Sequence, residues 1–391
     1  MKKLAIITTH PVQYYAPVFK LMAQSNKVNL KVFYTWGEDS VNKFDPGFSK
    51  KIEWDIPLLE GYPFEWVKNS AVDPGTHHFG GIENPNLIND LNLWKPDAIL
   101  VYGWGFKSHL KVLRYFKNKV PIYFRGDSTL LDDQKGIKAI LRTLFLKWVY
   151  KHVNYAFYVG TNNKNYYCKF ALNEKQLVFA PHAVDNSRFS LELKTEAQAL
   201  RNKFDIAEEE ILVLFAGKLE QKKAPLQLLR AFGELKSPKA HLLFVGNGTL
   251  EKEAKEIAAS YKNIHFLAFQ NQTFMPIAYQ ASDLFCLPSI GPNETWGLAI
   301  NEAMACGKAI LASDRVGGAI DLIKPGVNGE IFKAGNTNDL SNKLGQLLNE
   351  KKTGLIKMGL RSKEIIENWS FDKQVFNIIS FIENGKETTL G

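Results

Sequence analysis

The chain is predicted to be an α/β protein built on two doubly wound parallel sheets. Three observations predict it: the length, a strand-then-helix alternation that runs through the chain twice, and a charged, strandless break between the two runs. At 391 residues the chain exceeds what one ordinary core fills, since a domain takes roughly 150 residues. Short apolar or β-branched runs that alternate with stretches of helical period pair in parallel through right-handed crossovers.

In the first half the expected strands are 4–8, 30–34, 98–102, 121–125, 155–160 and 177–180, each a short run rich in Val, Ile, Leu, Phe or Tyr. Amphipathic stretches at 16–24, 107–117 and 137–150 lie between them. The second half repeats the scheme with strands at 211–216, 241–245, 264–266, 284–287 and 309–312. The segment from Pro181 to Phe204, opening with PHAVDNSRF, turns charged and strandless. The expected division is a first domain over 1–185, a linker over 186–204 and a second domain over 205–369, with a helix at 370–384 packing back on the first. Order is expected throughout except after Gly385.

Composition narrows the partners. The formal charge of +9 favours anionic ones, whether nucleic acid, membrane surface or a diphosphate. No zinc-finger spacing, RRM-like aromatic motif or Lys/Arg tract is present, which argues against nucleic acid. The apolar run after Met1 ends at Thr8-Thr9-His10, short of a secretory core, and reads as a first buried strand. No segment approaches the roughly 18 apolar residues of a membrane span. Cys168, Cys286 and Cys306 are odd in number and widely spaced, as expected of thiols in a reducing cytoplasm.

Three clusters follow strand ends in the second half, where open sheets of this kind bind ligands. In GKLEQKKAP, Lys218 and Lys223 flank a turn that can bring both ammonium groups onto one anion; the alternative is a solvated pair. In FVGNGTLEKE, Gly246 and Gly248 let backbone approach a ligand around Asn247, and Thr249 is placed to cap the next helix. This turn matches a G-x-G-x-x-G fingerprint except that Glu251 stands at the last glycine. In SIGPNETWGLAINEAMACGKAIL, Pro288, Gly291 and Pro292 exclude a helix, and a helix begins at Gly297. Glu294 then stands before that helix and Glu302 about two turns further on. The N–H groups of Trp296 to Leu298 form an anion site between the two carboxylates. A carboxylate satisfies the paired donors of a vicinal diol, so two acids astride an anion site suit a nucleotide sugar. Alone, Glu294 reads equally as a cap acid and Glu302 as a surface residue.

Together, GKLEQKKAP, FVGNGTLEKE and the E-x7-E pattern from Glu294 to Glu302 with EAMACGKAIL resemble the signature of the retaining GT-B glycosyltransferases of family four, across the whole second domain. The resemblance implies two Rossmann-like domains facing a central cleft, with a nucleotide diphosphate sugar held by the second. It implies that Lys218 and Lys223 contact the diphosphate, Glu294 the donor sugar and Glu302 the ribose. Thr295, Trp296, Gly297 and Leu298 then supply backbone to phosphate and sugar, and Gly246 and Asn247 line the donor site. Two departures stand out. Most members carry Arg where this chain has Lys218, exchanging a fork for a point charge, and Gly where it has Ala224.

The first domain is expected to bind the acceptor, a saccharide or a lipid-linked saccharide. TTHPVQYYAP offers His10, Gln13 and Tyr14, with core packing of Tyr14 and Tyr15 as the alternative. VYGWGF offers Trp104 for stacking on a sugar face. FRGDS offers Arg125 and Asp127, the latter at a catalytic position in relatives; a turn held by their own salt bridge is the other reading. His77-His78 shows no further ligand spacing, so no metal is expected there. The stretch 135–151 holds Lys135, Lys138, Arg142, Lys147 and Lys151 with Leu141, Leu144, Phe145, Trp148 and Val149 and no acid. It suits an anionic membrane surface or a solvated basic face.

The expected activity is transfer from a nucleotide diphosphate sugar to a hydroxyl with retained anomeric configuration, in bacterial surface polysaccharide or glycolipid synthesis. Glu294, Lys223, Lys218 and Asp127 are its catalytic residues. No cofactor or metal is expected, since the lysines and helix start stabilise the leaving diphosphate. The expected location is cytoplasmic, or peripheral on the inner membrane face. The rivals are a nucleotide-sugar epimerase of the same plan and a non-catalytic sugar-nucleotide binder.

Overall fold

In the computed structural model, described for all residues except 43, 46–49, 52, 134 and 385–391, the chain divides into two compact units. The first comprises 1–43, 57–182 and 371–391, the second 44–56 and 183–370. The expected disorder after Gly385 lies outside the described residues.

The first unit opens with β1 (Lys2–Thr8), α1 (Ala16–Gln24) and β2 (Val28–Tyr34). A two-stranded antiparallel ribbon, β3 (Phe44–Asp45) with β4 (Lys50–Lys51), is counted with the second unit. The first unit resumes with β5 (Phe64–Trp66), α2 (Leu87–Trp94), β6 (Ala98–Tyr102), α3 (Lys107–Phe116), β7 (Ile122–Arg125), α4 (Ile137–Tyr150), β8 (Tyr155–Tyr158), α5 (Thr161–Lys169) and β9 (Leu177–Phe179). Its seven strands run parallel in the order β5-β2-β1-β6-β7-β8-β9. Every side chain of β6, in the sequence AILVY, is buried, the uniform apolar run of a strand covered on both faces.

The second unit contains α6 (Asn186–Phe189), α7 (Lys194–Lys203), β10 (Ile211–Ala216), α8 (Pro225–Glu234), β11 (Ala240–Val245), α9 (Glu251–Ala258), β12 (Ile264–Leu267), α10 (Met275–Ala281) and β13 (Leu284–Leu287). It continues through α11 (Leu298–Ala305), β14 (Ala309–Ser313), α12 (Ala319–Leu322), β15 (Gly329–Phe332), α13 (Thr337–Asn349) and α14 (Lys351–Ile366). Its six parallel strands are ordered β12-β11-β10-β13-β14-β15. The last helix, α15 (Phe371–Asn384), belongs to the first unit. There Asn377 Nδ2 donates to the Phe179 carbonyl at 3.0 Å, and the Phe381 ring packs on Tyr123, Tyr155 and Phe157.

Three readings need correction. The stretch 186–204 is helical rather than a free linker. Its α7 is pinned by Arg201, whose guanidinium donates to the Ala281 carbonyl at 2.9 Å and to the Glu210 carbonyl at 2.6 Å. Edge strands β5 and β15 escaped the sequence reading because FEW and GEIF are short and carry a charge in the middle. Thr249 does not cap α9. Its N-cap is Leu250, without a side-chain cap hydrogen bond, because Leu250 N–H is committed to the Leu219 carbonyl at 2.8 Å.

Each sheet reverses its winding once, between β1 and β6 in the first unit and between β10 and β13 in the second. Loops leaving the carboxyl ends of strands on either side of such a switch diverge and leave a crevice. TTHPVQYY follows β1 and GWGF follows β6; GKLEQKK follows β10 and SIGPNETWGL follows β13.

Candidate functional site

The loops after β10 and β13 meet through backbone as well as side chains, with Ile290 N–H donating to the Lys222 carbonyl at 2.8 Å. Lys223 Nζ lies 2.5 Å from Glu294 Oε2, and that oxygen also accepts from Ser289 Oγ at 2.9 Å. The Glu294 side chain is 8% exposed and that of Lys223 19%, so the attraction acts where water screens it weakly. Glu294 is therefore no helix-cap acid, and Lys223 is no solvated lysine.

Gly297 is the N-cap of α11, left-handed at φ 89°, with no side-chain cap hydrogen bond. Its first-turn N–H groups, which an α-helix leaves without intrahelical partners, follow directly on the Glu294 loop. The loop is braced from behind. Gly317 N–H donates to the Glu294 carbonyl at 3.0 Å and Gly318 N–H to that of Trp296 at 2.8 Å. A Cβ on Gly317 would stand 1.7 Å from the Thr295 carbonyl oxygen, so only glycine permits this approach.

Glu302 is buried within α11, and its Oε2 accepts from the Tyr279 hydroxyl at 2.7 Å. It is no surface residue. Tyr279, fully buried on α10, was missed by sequence reasoning, as was Ser289; neither belongs to a motif spacing. Trp296 is buried, its indole N–H donating to Asn301 Oδ1 at 2.8 Å, so its side chain supports the loop. Thr295 and Leu298 are half-buried.

Lys218 sits half-buried at the exit of β10. Gly246 and Gly248 serve backbone packing between the loops after β10 and β11. A Cβ on them would meet the Gly217 and Leu219 carbonyl oxygens at 2.1 and 2.4 Å. Asn247 locks the same turn, donating to Glu251 Oε2 at 2.9 Å and accepting from Phe269 N–H at 2.8 Å. Beside these loops lies a cavity of about 420 Å³ lined by Gln221, Ala224, Gln227, Leu250, Ile290 and Thr337, within the range of small-ligand sites. Ala224, between Lys223 and α8, is left-handed at φ 49°.

In the first unit the residues after β1 form a tight turn, with Ala16 N–H donating to the Val12 carbonyl at 2.9 Å. Gln13 and Tyr14 are half-buried on it. His10 Nδ1 lies 2.9 Å from Thr9 Oγ1, and its ring meets Trp36 edge-on. Tyr15 packs against Tyr102 and stacks on His182 at 6.2 Å. Burial and the Arg125 charge depress His182 to about 4, against a raising pull from Asp127. Burial likewise takes His109 to about 4 and raises Tyr102 to about 12. Asp127 is half-buried on the loop after β7, its charge felt by His182 and Tyr15.

Arg125 does not reach outward for a ligand. It is 2% exposed and donates to the Ala180 and Pro181 carbonyls at 2.8 and 3.0 Å. Trp104, half-buried, packs edge-on against Phe145 of α4, 5.4 Å between centroids. Helix α4 leaves Ile137, Ile140, Leu141 and Leu144 each more than 60% exposed, with Phe145 and Trp148 about two-fifths exposed. Arg142 pairs with Asp133 at 3.0 Å and so leaves the basic face. Among the described residues no helix is long and apolar enough to cross a membrane. Beyond the expected pair, His77 and His78 are joined by Asp73.

Comparison with known proteins bears on the family and the fold. Residues 196–361 match the glycosyl transferases group 1 family. The D-inositol 3-phosphate glycosyltransferase of Nocardia farcinica is 33% identical over 176 residues, 42% of this chain and 38% of that protein. The sulfoquinovosyl transferase SQD2 of Arabidopsis thaliana is 29% identical over 192 residues, 48% of this chain and 36% of that protein. The matches thus span less than two-fifths of these relatives. Anabaena Alr3699/HepE, solved in complex with UDP and glucose, superposes with a TM-score of 0.72 at 16% identity, covering 98% of this chain and 100% of that one. Residues 196–361 accordingly resemble the glycosyl transferases group 1 family, on a chain with the two Rossmann-like units of the GT-B fold.

Proposed function

We propose that the chain transfers a sugar from a nucleoside diphosphate sugar to a hydroxyl acceptor, with retention and without a metal ion. The observation that carries this is the screened-off Lys223–Glu294 pair beside the left-handed turn at Gly297. The names of the curated relatives, sugar transferases, and the UDP and glucose held by HepE support the same class of donor. In this reading the diphosphate lies against the start of α11 and draws Lys223 and Lys218 onto its oxygens. Glu294 is thereby released to the donor sugar hydroxyls, and Glu302, held by Tyr279, takes the ribose.

The acceptor oxygen attacks the anomeric carbon from the face the diphosphate leaves. The bond from that carbon to the phosphate oxygen breaks, and a phosphate oxygen of the leaving group takes the acceptor proton. The lysines and helix start stabilise the charge that grows on the diphosphate. Asp127 and His10, Gln13 and Tyr14 of the first unit contribute acceptor contacts. The apolar, lysine-flanked face of α4 rests on an anionic membrane, which suits a lipid-linked acceptor in surface polysaccharide or glycolipid synthesis at the inner face.

A screen of nucleoside diphosphate sugars by released nucleotide, with and without acceptor and with EDTA throughout, tests this. Acceptor-dependent release with a product of the donor's own anomeric configuration is the expected result. An epimerised nucleotide sugar formed without acceptor would establish the epimerase instead, and binding without turnover the silent binder.

A further inference from the structure

We infer that the loop between β5 and α2 is a divalent transition-metal site with Asp73, His77 and His78 as its protein ligands and Zn²⁺ as the best-matched ion. His77 Nε2 stands 2.9 Å and His78 Nε2 3.4 Å from the same oxygen, Asp73 Oδ2. One ligand atom from each residue lies within 4.8 Å of the others. Tetrahedral zinc bound at roughly 2.0–2.2 Å keeps its ligands about 3.3 Å apart, so insertion asks for adjustments of no more than about 1.5 Å. Two imidazoles and a carboxylate suit zinc, nickel or copper and do not suit Mg²⁺ or Ca²⁺, which prefer all-oxygen sites.

The loop is built to present this trio. Its neck is closed by Ser70 N–H donating to the Glu83 carbonyl at 2.8 Å. Asn69 Oδ1 accepts from Ala71 and Glu83 N–H at 3.1 and 2.9 Å, while its amide donates to the Gly81 carbonyl at 2.9 Å. Gly75 N–H reaches the Gly81 carbonyl at 3.0 Å. A Cβ on Gly75 would lie 2.5 Å from His77 Nδ1, and one on Gly81 2.2 Å from the Gly75 carbonyl oxygen. Both glycines therefore keep the His77 ring seated over Asp73. The side chains are 60, 40 and 71% exposed for His77, His78 and Asp73, which gives an ion direct entry and leaves the remaining coordination position to water. As an ion pair at such exposure the trio would contribute little; as a chelate it clamps the loop. The site lies in the first unit, apart from the residues of the second unit assigned to the donor, so its occupation is read without any donor.

The test is titration of the full chain, stripped with EDTA, by ZnCl₂ in a calorimeter and by CoCl₂ in visible absorption. One equivalent should bind with micromolar affinity, with cobalt bands of low coordination number. His77→Ala, His78→Ala and Asp73→Asn should each weaken it more than about tenfold while melting like the wild type in EDTA. Zinc should raise the melting temperature of the wild type and leave the double variant His77→Ala/His78→Ala unmoved. Absence of saturable binding, or one-to-one binding that survives in the double variant, overturns the proposal. Neither result touches the donor screen in EDTA.

Discussion

Glu294 is buried and Lys223 largely so, and each finds its counter-charge in the other at 2.5 Å. Lys223→Ala leaves the Glu294 carboxylate held by the Ser289 hydroxyl without its counter-charge, and unfolding should become easier by about 1–3 kcal/mol, a buried-pair loss discounted for the residual exposure of the lysine. Turnover should fall about 10²–10³, the worth of one leaving-group stabiliser. Denaturant titration and initial rates separate the two. The pair Lys223→Ala/Glu294→Ala should regain stability and stay inactive. Glu302→Ala should weaken donor affinity by roughly 1.5–3 kcal/mol, measured by calorimetry, as loss of a charged hydrogen-bond acceptor. Ala224 pays for its left-handed φ of 49°; glycine there removes that strain and loses part of the gain to chain entropy. Ala224→Gly should raise stability by about 0.5–1 kcal/mol in a urea melt.

Among the described residues, α4 gathers several exposed apolar side chains on one helix. With Ile137, Ile140, Leu141 and Leu144 exposed and Lys135, Lys138, Lys147 and Lys151 on the same stretch, the chain should co-sediment with anionic liposomes at low salt and less at high salt. Leu141→Glu with Leu144→Glu should abolish this while release of nucleotide from the donor, with a soluble acceptor present, stays unchanged. The exposure of these side chains could not be read from their spacing, because one amphipathic pattern serves a core face and a membrane face alike. The strands were legible where an apolar run crosses the middle of a sheet, as in β6 and β10. They were illegible at two of the four edges, β5 and β15, which each carry a glutamate, while the edge strands β9 and β12 were read. The acids of the site were legible as a spacing, E-x7-E. Their hydrogen-bond partners were not: Tyr279 stands on a different helix, which leaves no periodic trace, and Ser289, in the same loop as Glu294, carries no spacing signal of its own. Arg125 shows the converse error: a charged residue after a strand suggested chemistry, and the structure uses it to hold two carbonyls.

Across the molecule, both units bury imidazoles in neutral form. His109 and His182 in the first and His265 in the second are depressed to about 4. In the unfolded chain each takes up a proton near pH 6.5. Between about 6.5 and 4 the unfolded state therefore binds more protons, and stability falls as pH falls through that window. A denaturation series should be flat in this respect above pH 7 and decline below it, and His109→Phe, if it folds, should soften the decline. The chain also passes between units four times, near 43, 56, 182 and 370, and beside the last two Val184 and Ser370 form a parallel bridge. Helix α15 comes after the whole second unit in sequence yet carries Phe381 into a socket of Tyr123, Tyr155 and Phe157. On the ribosome, the sheet of the first unit thus waits for a segment translated after the whole second unit, and a transcript stopped at codon 370 releases a nascent chain with that socket bare to chaperones.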